Sequence, residues 1–132
     1  MFAIKIKSGD AYDIYALEDS GRCEMLDFID SLKASNVVEF GKLMALLDAT
    51  AEAGKLKNPQ KFKYLADGIH EFKTYGGIRV LCFFDGQCMV VLTHGFMKKK
   101  KYESEIKRAV NMMYKYTIAK AQGALFYRKD EI

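Results

Sequence analysis

Along FAIKIK, residues 2 to 7, apolar and basic positions alternate, which is the period of a half-buried strand. Ser8, Gly9 and Asp10 form a turn, and AYDIYAL reads as a second strand returning from it. Asp19, Ser20 and Gly21 break the alternation. In CEMLDFIDSLKAS the apolar positions Met25, Phe28, Ile29 and Leu32 recur at helical spacing, and Ala34 with Ser35 ends that helix. Asn36 followed by Glu39 has the spacing of a capping box, so a second helix starts there. Phe40, Leu43, Met44, Leu47 and Ala51 carry it to Gly54, a C-cap residue. Two helices joined so tightly predict an antiparallel helical hairpin.

The second half changes period again. KLKNPQKFKYLADG is polar, basic and holds Pro59, the single proline, so it reads as an ordered loop. GIHEFKT, at 68 to 74, is a short strand; Gly76 and Gly77 are a turn; IRVLCFF is a longer strand rich in β-formers. Asp85-Gly86 signals a two-residue hairpin turn, with QCMVVLTHGF running antiparallel beyond it. From about Tyr102, Ile106, Ala109, Val110, Met113 and Thr117 share a helical face opposite Arg108, Asn111 and Lys115. ALFYRKDEI at the end is too short to assign, and Leu125, Phe126 and Tyr127 suit either docking on the sheet or pairing with an edge.

Composition narrows the class. A chain of 132 residues fits one domain, with enough apolar residues to bury a core. Cys23, Cys82 and Cys88 are odd in number and make no C-x-x-C pair, which suits reduced thiols in a cytoplasmic protein. MFAIKIKSGD lacks the apolar core of a signal peptide, and no apolar run approaches membrane-spanning length. The net charge of +4 is unevenly placed: four lysines and no acid between Lys55 and Lys63, then an unbroken run from Lys98 to Lys101. Such local concentration suggests an anionic partner, nucleic acid first among them, although a lysine run also serves simply as a solvated face.

A two-residue turn at Asp85-Gly86 sets Phe84 opposite Gln87, Cys82 opposite Met89 and Arg79 opposite Leu92. Cys82 and Cys88 then lie on opposite faces, and with two histidines in the chain neither a metal site nor a Cys/His nucleophile is well supplied. No cofactor is expected. Arg79 lies diagonal to His94, the preceding strand brings His70 or Lys73 nearby, and the lysine run begins where that site ends. A guanidinium, an imidazole and ammonium groups suit cleavage of RNA by its own 2′-OH, which needs a base, a cation on the crowded phosphate and an acid for the leaving oxygen, and no metal. The purely architectural alternative pairs Arg79 with an acid such as Glu71 and makes His94 a satisfied histidine at a strand end.

KYLADGIHEF, then GGIRVLCFF, then VVLTHGFMKKK and a helix near EIKRA resemble the phage-derived, HigB-like branch of the RelE/ParE toxin superfamily. The likeness runs from about Gly21 to Tyr116. It implies an α+β, RelE-like fold: two N-terminal helices packed on a small, mainly antiparallel sheet, with a C-terminal helix. It treats residues 1 to 132 as one toxin domain with an extra N-terminal strand at 2 to 7 and an extra tail at 119 to 132. The implied role is that of a type II toxin–antitoxin toxin, an mRNA endonuclease working on the ribosome. Its partners would be the ribosome with its mRNA and a cognate antitoxin of helix-turn-helix type, and the additional strand offers an edge for a homodimer.

By position, Arg79 matches the arginine set against the scissile phosphate, with Lys73 or His94 exchanging protons. Lys63 and the pair Lys98 and Lys99 match basic residues of the family, and Lys100 and Lys101 extend their RNA-binding track. Lys73 stands where the family often has arginine, which keeps the charge and loses the two-pronged contact. The Thr-Pro helix start common in the family is absent here. A gyrase-inhibiting toxin of the ParE kind and a non-catalytic RNA- or protein-binding module are the competing expectations.

Overall fold

The computed structural model describes residues 1–130. Its N-terminal hairpin is β1 (Phe2–Ser8) with β2 (Asp13–Glu18), followed by α1 (Glu24–Ser35) and α2 (Val37–Ala53). Next come β3 (Phe62–Ala66), β4 (Ile69–Lys73), β5 (Ile78–Asp85) and β6 (Met89–Met97), then α3 (Glu103–Ala121) and β7 (Phe126–Lys129).

The expected two helices on a small, mainly antiparallel sheet closed by a C-terminal helix is corrected by this architecture. Among the described residues there are three helices and one seven-stranded mixed sheet in the order β3-β4-β5-β6-β2-β1-β7, with helices lying between strands in the chain. β2 pairs in parallel with β6, and β7 in parallel with β1. The cause is β2. Its residues Ile14 to Leu17 are all buried, so the strand is covered on both faces and needs a neighbour on each side. The hairpin therefore joins the sheet through β2 instead of lying outside it as an appendage.

Side-chain alternation divides the interior into two cores. Ile4, Ile6, Ile14, Ala16, Val80, Cys82, Val90 and Leu92 point to the side covered by α1 and α2; Tyr15, Leu17, Ile69, Leu81, Phe83 and Val91 point to the side where α3 lies with Ala109 and Tyr116. At the start of α2 the Asn36 side chain accepts the Glu39 N–H at 3.2 Å, as the sequence predicts. Glu39 itself does not reach back to complete the box; it is buried and accepts a hydrogen bond from Thr74. Gly54 closes α2 at φ +98°.

Two further expectations change, and the tail takes one of the two places left open for it. The basic stretch after α2 contains an edge strand, β3, with Phe62 buried and Lys63 and Tyr64 exposed. The helix predicted from Tyr102 runs to Ala121, and the tail pairs along β1; residues 131 and 132 of that tail lie outside the described residues. The β5–β6 register also differs. Asp85 pairs with Met89 across a longer loop at 86 to 88, so Phe84 faces Val90, Cys82 faces Leu92 and Arg79 faces Phe96. Gly86, at φ +68°, provides the left-handed turn. No described helix is long and apolar enough to cross a membrane.

Candidate RNA-binding and cleavage site

A register shift between Leu81 and Cys82 takes up Thr93 as the extra residue of a bulge, and this flips the rest of β6. Without it His94 would face the α1–α2 side. With it, His94 pairs with Leu81 and Phe96 with Arg79 on the α3 side, so Arg79 and His94 remain diagonal neighbours despite the altered turn. Pairing along the sheet adds Lys73 beside Arg79, Glu71 beside Leu81 and Lys63 beside Glu71 on that same face.

The carboxylate at the centre of this face is Glu71, fully buried. The Tyr102 hydroxyl, at the start of α3, donates to its two oxygens at 3.2 and 3.3 Å. Burial, and then the Glu71 charge, raise the Tyr102 phenol above its ordinary value, so it stays protonated. Lys73 moves the other way. Burial lowers it first, and Lys63, Arg79 and Lys98 push in the same direction against Glu71, so its ammonium gives up a proton more readily than a free lysine.

Arg79 is 6% exposed, and its Nη1 donates to the Thr74 carbonyl at 3.1 Å and the Ile78 carbonyl at 2.9 Å. It makes no ion pair with Glu71, so the architectural pairing weighed from sequence is absent among the described residues. Two carbonyls fix the guanidinium, and Nε and Nη2 keep their N–H groups uncommitted within the described chain.

His94 has a more enclosed setting. It is 2% exposed, with Nε2 3.1 Å from Glu105 and Nδ1 3.1 Å from the Thr93 hydroxyl. Because a carboxylate can only accept, Nε2–H donates to Glu105. Burial, then the Arg108 charge, lower the imidazole below its usual range against the pull of Glu105. Glu105 also binds Lys99 at 2.6 Å and Arg108 at 2.9 Å. Burial opposes its ionisation, yet the hydrogen bonds from Lys99, Arg108 and His94 prevail and hold it down at about 2.

The four lysines thus fall into two groups. Lys99 is tied to Glu105 and lies over the Phe96 ring, whereas Lys98, Lys100 and Lys101 are exposed and make no ion pair among the described residues. Lys63 is likewise exposed and unpaired. His70 faces the opposite side of the sheet, stacked on Phe62 with ring centroids 5.3 Å apart, so Lys73 is the residue that β4 brings to Arg79.

Sequence reasoning missed Tyr102 and Glu105, and gave Glu71 only a pairing role. Its signal was available for Tyr102, an aromatic residue at the junction of the lysine run and the helix. Nothing local marks Glu71, because its partner arrives from 31 residues away. As a unit the face presents fixed cations and uncommitted guanidinium N–H groups beside a lysine with a labile proton and a protonated phenol, which can bind a phosphate and exchange protons with it.

Residues 27–121 match the family described as Phage derived protein Gp49-like. That span takes in α2, the strands β3 to β6 and α3, and omits β1, β2 and β7. No curated protein matches the chain.

Proposed function

The chain belongs to the phage-derived Gp49-like family, a RelE/toxin-like family, and from that premise we propose that it is a toxin of a type II toxin–antitoxin module, of the HigB-like kind, that cleaves mRNA on the ribosome. The observation that carries this reading is the Lys63, Lys73, Arg79 and Lys98 cluster around the Glu71–Tyr102 pair. Arg79 meets the scissile phosphate with its uncommitted N–H groups and stabilises the charge that grows as the phosphorane forms. Lys73 takes the 2′-OH proton, with burial and the neighbouring cations favouring its neutral amine more than in a free lysine. The 2′-O–P bond forms, the bond to the 5′-oxygen breaks, and that oxygen takes a proton from Tyr102 or from Lys73. The products are a 2′,3′-cyclic phosphate and a 5′-hydroxyl.

His94 is the other proton carrier considered from sequence. In this reading it fixes the first turn of α3 through Glu105, and so places Tyr102 and the lysines. Lys63 with Lys98, Lys100 and Lys101 holds the backbone of mRNA or ribosomal RNA, and Lys99 joins them while anchored to Glu105. The activity belongs to the cytoplasm, with an antitoxin of helix-turn-helix type covering the cationic face until it is degraded.

Induced expression of wild type beside Arg79→Ala, with primer extension on a translated message, tests the reading. Cuts within codons that require active translation, and fall at least 100-fold in Arg79→Ala, are the expected result. Growth arrest with intact mRNA would instead indicate gyrase inhibition, and harmless expression of folded protein a non-catalytic binding module.

A further inference from the structure

Between α2 and the segment at 58 to 61 lies a groove of about 350 Å³, distinct from the face that carries Arg79. That size falls within the range of small-ligand sites, about 300–1,000 Å³. Leu46 gives it an apolar wall, Lys42 and Lys61 give it charge, Asn58 and Gln60 give it amides, and Tyr75 stands at its side.

Tyr75 is 99% exposed, the most exposed of the large hydrophobic side chains among the described residues. An aromatic so displayed is ordinarily at the tip of a loose loop, but this turn is tightly held. The Thr74 N–H donates to the Ile78 carbonyl, the Gly77 N–H to the Thr74 carbonyl, and the Lys98 N–H to the Gly77 carbonyl at 2.7 Å. The Thr74 hydroxyl donates to buried Glu39 and accepts the Ile78 N–H. Gly76 lies so close against the Glu39 carboxylate that a Cβ there would overlap it. The ring is therefore presented by a rigid support, so a flat ligand stacking on it orders little that is not already ordered.

The charges and amides point the same way. Glu39, the acid that pairs with the groove's Lys42 at 3.1 Å, also accepts the Thr74 hydroxyl. Lys61 has no ion pair among the described residues. The Asn58 side-chain oxygen accepts the Gln60 N–H at 2.9 Å, which leaves its amide N–H groups as donors. The Gln60 side-chain amide makes no bond within the described chain. Cations, an unoccupied aromatic face and amide groups are the components that hold a nucleotide by its phosphate, its ring and its edge.

The groove also adjoins the cleavage cluster. Lys73 and Thr74 line it, the Lys73 N–H donates to the Lys61 carbonyl at 2.8 Å, and Lys73 pairs with Arg79 across the sheet. We propose that this groove is a nucleotide subsite for single-stranded RNA: a base next to the phosphate at Arg79 stacks on Tyr75, presents its edge to Asn58 and Gln60, and lays its phosphate by Lys61. The proposal rests on the endonuclease reading and assigns that enzyme's base preference to the 58–61 segment and the β4–β5 turn.

Fluorescence anisotropy with labelled single-stranded oligoribonucleotides of each base, at one fixed salt concentration, tests it. Tyr75→Ala is expected to weaken binding of the preferred oligomer by about 5- to 150-fold, the range for loss of one stacked base, with Tyr75→Phe close to wild type. Gln60→Ala is expected to narrow the differences among the four bases. An unchanged melting temperature shows that these exposed substitutions leave the fold intact. Equal affinity of wild type and Tyr75→Ala, no binding by folded wild type, or an equal loss for inorganic polyphosphate overturns the subsite, as does a Tyr75→Ala defect confined to a protein partner. Primer extension separates the two layers. Unaltered cut positions in Tyr75→Ala refute the subsite alone, whereas intact mRNA on expression of folded wild type refutes the endonuclease reading, with the anisotropy result still deciding the groove.

Discussion

Thr74 links three parts of the molecule through two oxygens. Its hydroxyl joins Glu39 of α2 to the Ile78 N–H, and its carbonyl receives Arg79. Thr74→Val keeps the shape, takes one of its hydrogen bonds from the buried Glu39 carboxylate and leaves the buried Ile78 N–H without a partner, so chemical denaturation should show a loss of about 1–3 kcal/mol. Cleavage should fall with it, because Arg79 loses its alignment. Lys73→Arg tests the proton step separately: RNA affinity in filter binding should persist with the charge, while single-turnover cleavage falls about 10²- to 10⁴-fold. Glu105 predicts a pH effect. Its folded value, about 2, lies below the ordinary 4.5, so its contribution is complete above 4.5 and is lost as pH falls towards 2. Urea midpoints for Glu105→Gln should therefore vary less across that interval than those of wild type. Arg79, Lys73 and the lysine run were legible as chemistry in the sequence because each sits in a recognisable strand or motif. The Glu71–Tyr102 bond was not, since it forms between residues that only tertiary packing brings together.

Among the elements, β6 is the one whose details decide the site. The bulge at Thr93 corrects the face of His94, and Thr93 donates its hydroxyl to the Leu81 carbonyl at 3.2 Å, covering a ladder acceptor at the irregularity. Two residues beyond Thr93, Gly95 lies directly under the Phe28 ring of α1, where a Cβ would overlap the ring. Gly95→Ala should displace α1 and cost about 1–3 kcal/mol in a urea titration, as other overpacked cores do. The order of strands and helices from β4 to α3 could be read from periodicity. Register could not, because Asp85-Gly86 looks like a two-residue turn while the chain closes a longer loop. β3 was hidden by its composition: an edge strand buries little, and Phe62 is its one well-buried side chain.

Over the whole molecule, the sheet has a half that matches the family, β3 to β6, and a half, β2, β1 and β7, that does not. The unbroken apolar run Ile14 to Leu17 was the available sign that β2 is central, and treating the hairpin as an addition to a small sheet overlooked it. β7 has all four residues exposed and is held by the Arg128–Glu18 pair at 2.7 Å and by Phe126 against Phe2. A chain ending at Gln122 should therefore keep the cleavage cluster, with a melting temperature lower by about 2–8 °C in a thermal scan. The parallel pairing of β2 with β6 also sets an order in time. Asp13 must find Met89, so the β1–β2 hairpin lacks its β6 neighbour until β6 has been made. Tyr102 and Glu105 emerge later still. On the proposed reading, the face that would act on RNA is thereby completed only after the strands that support it have been made.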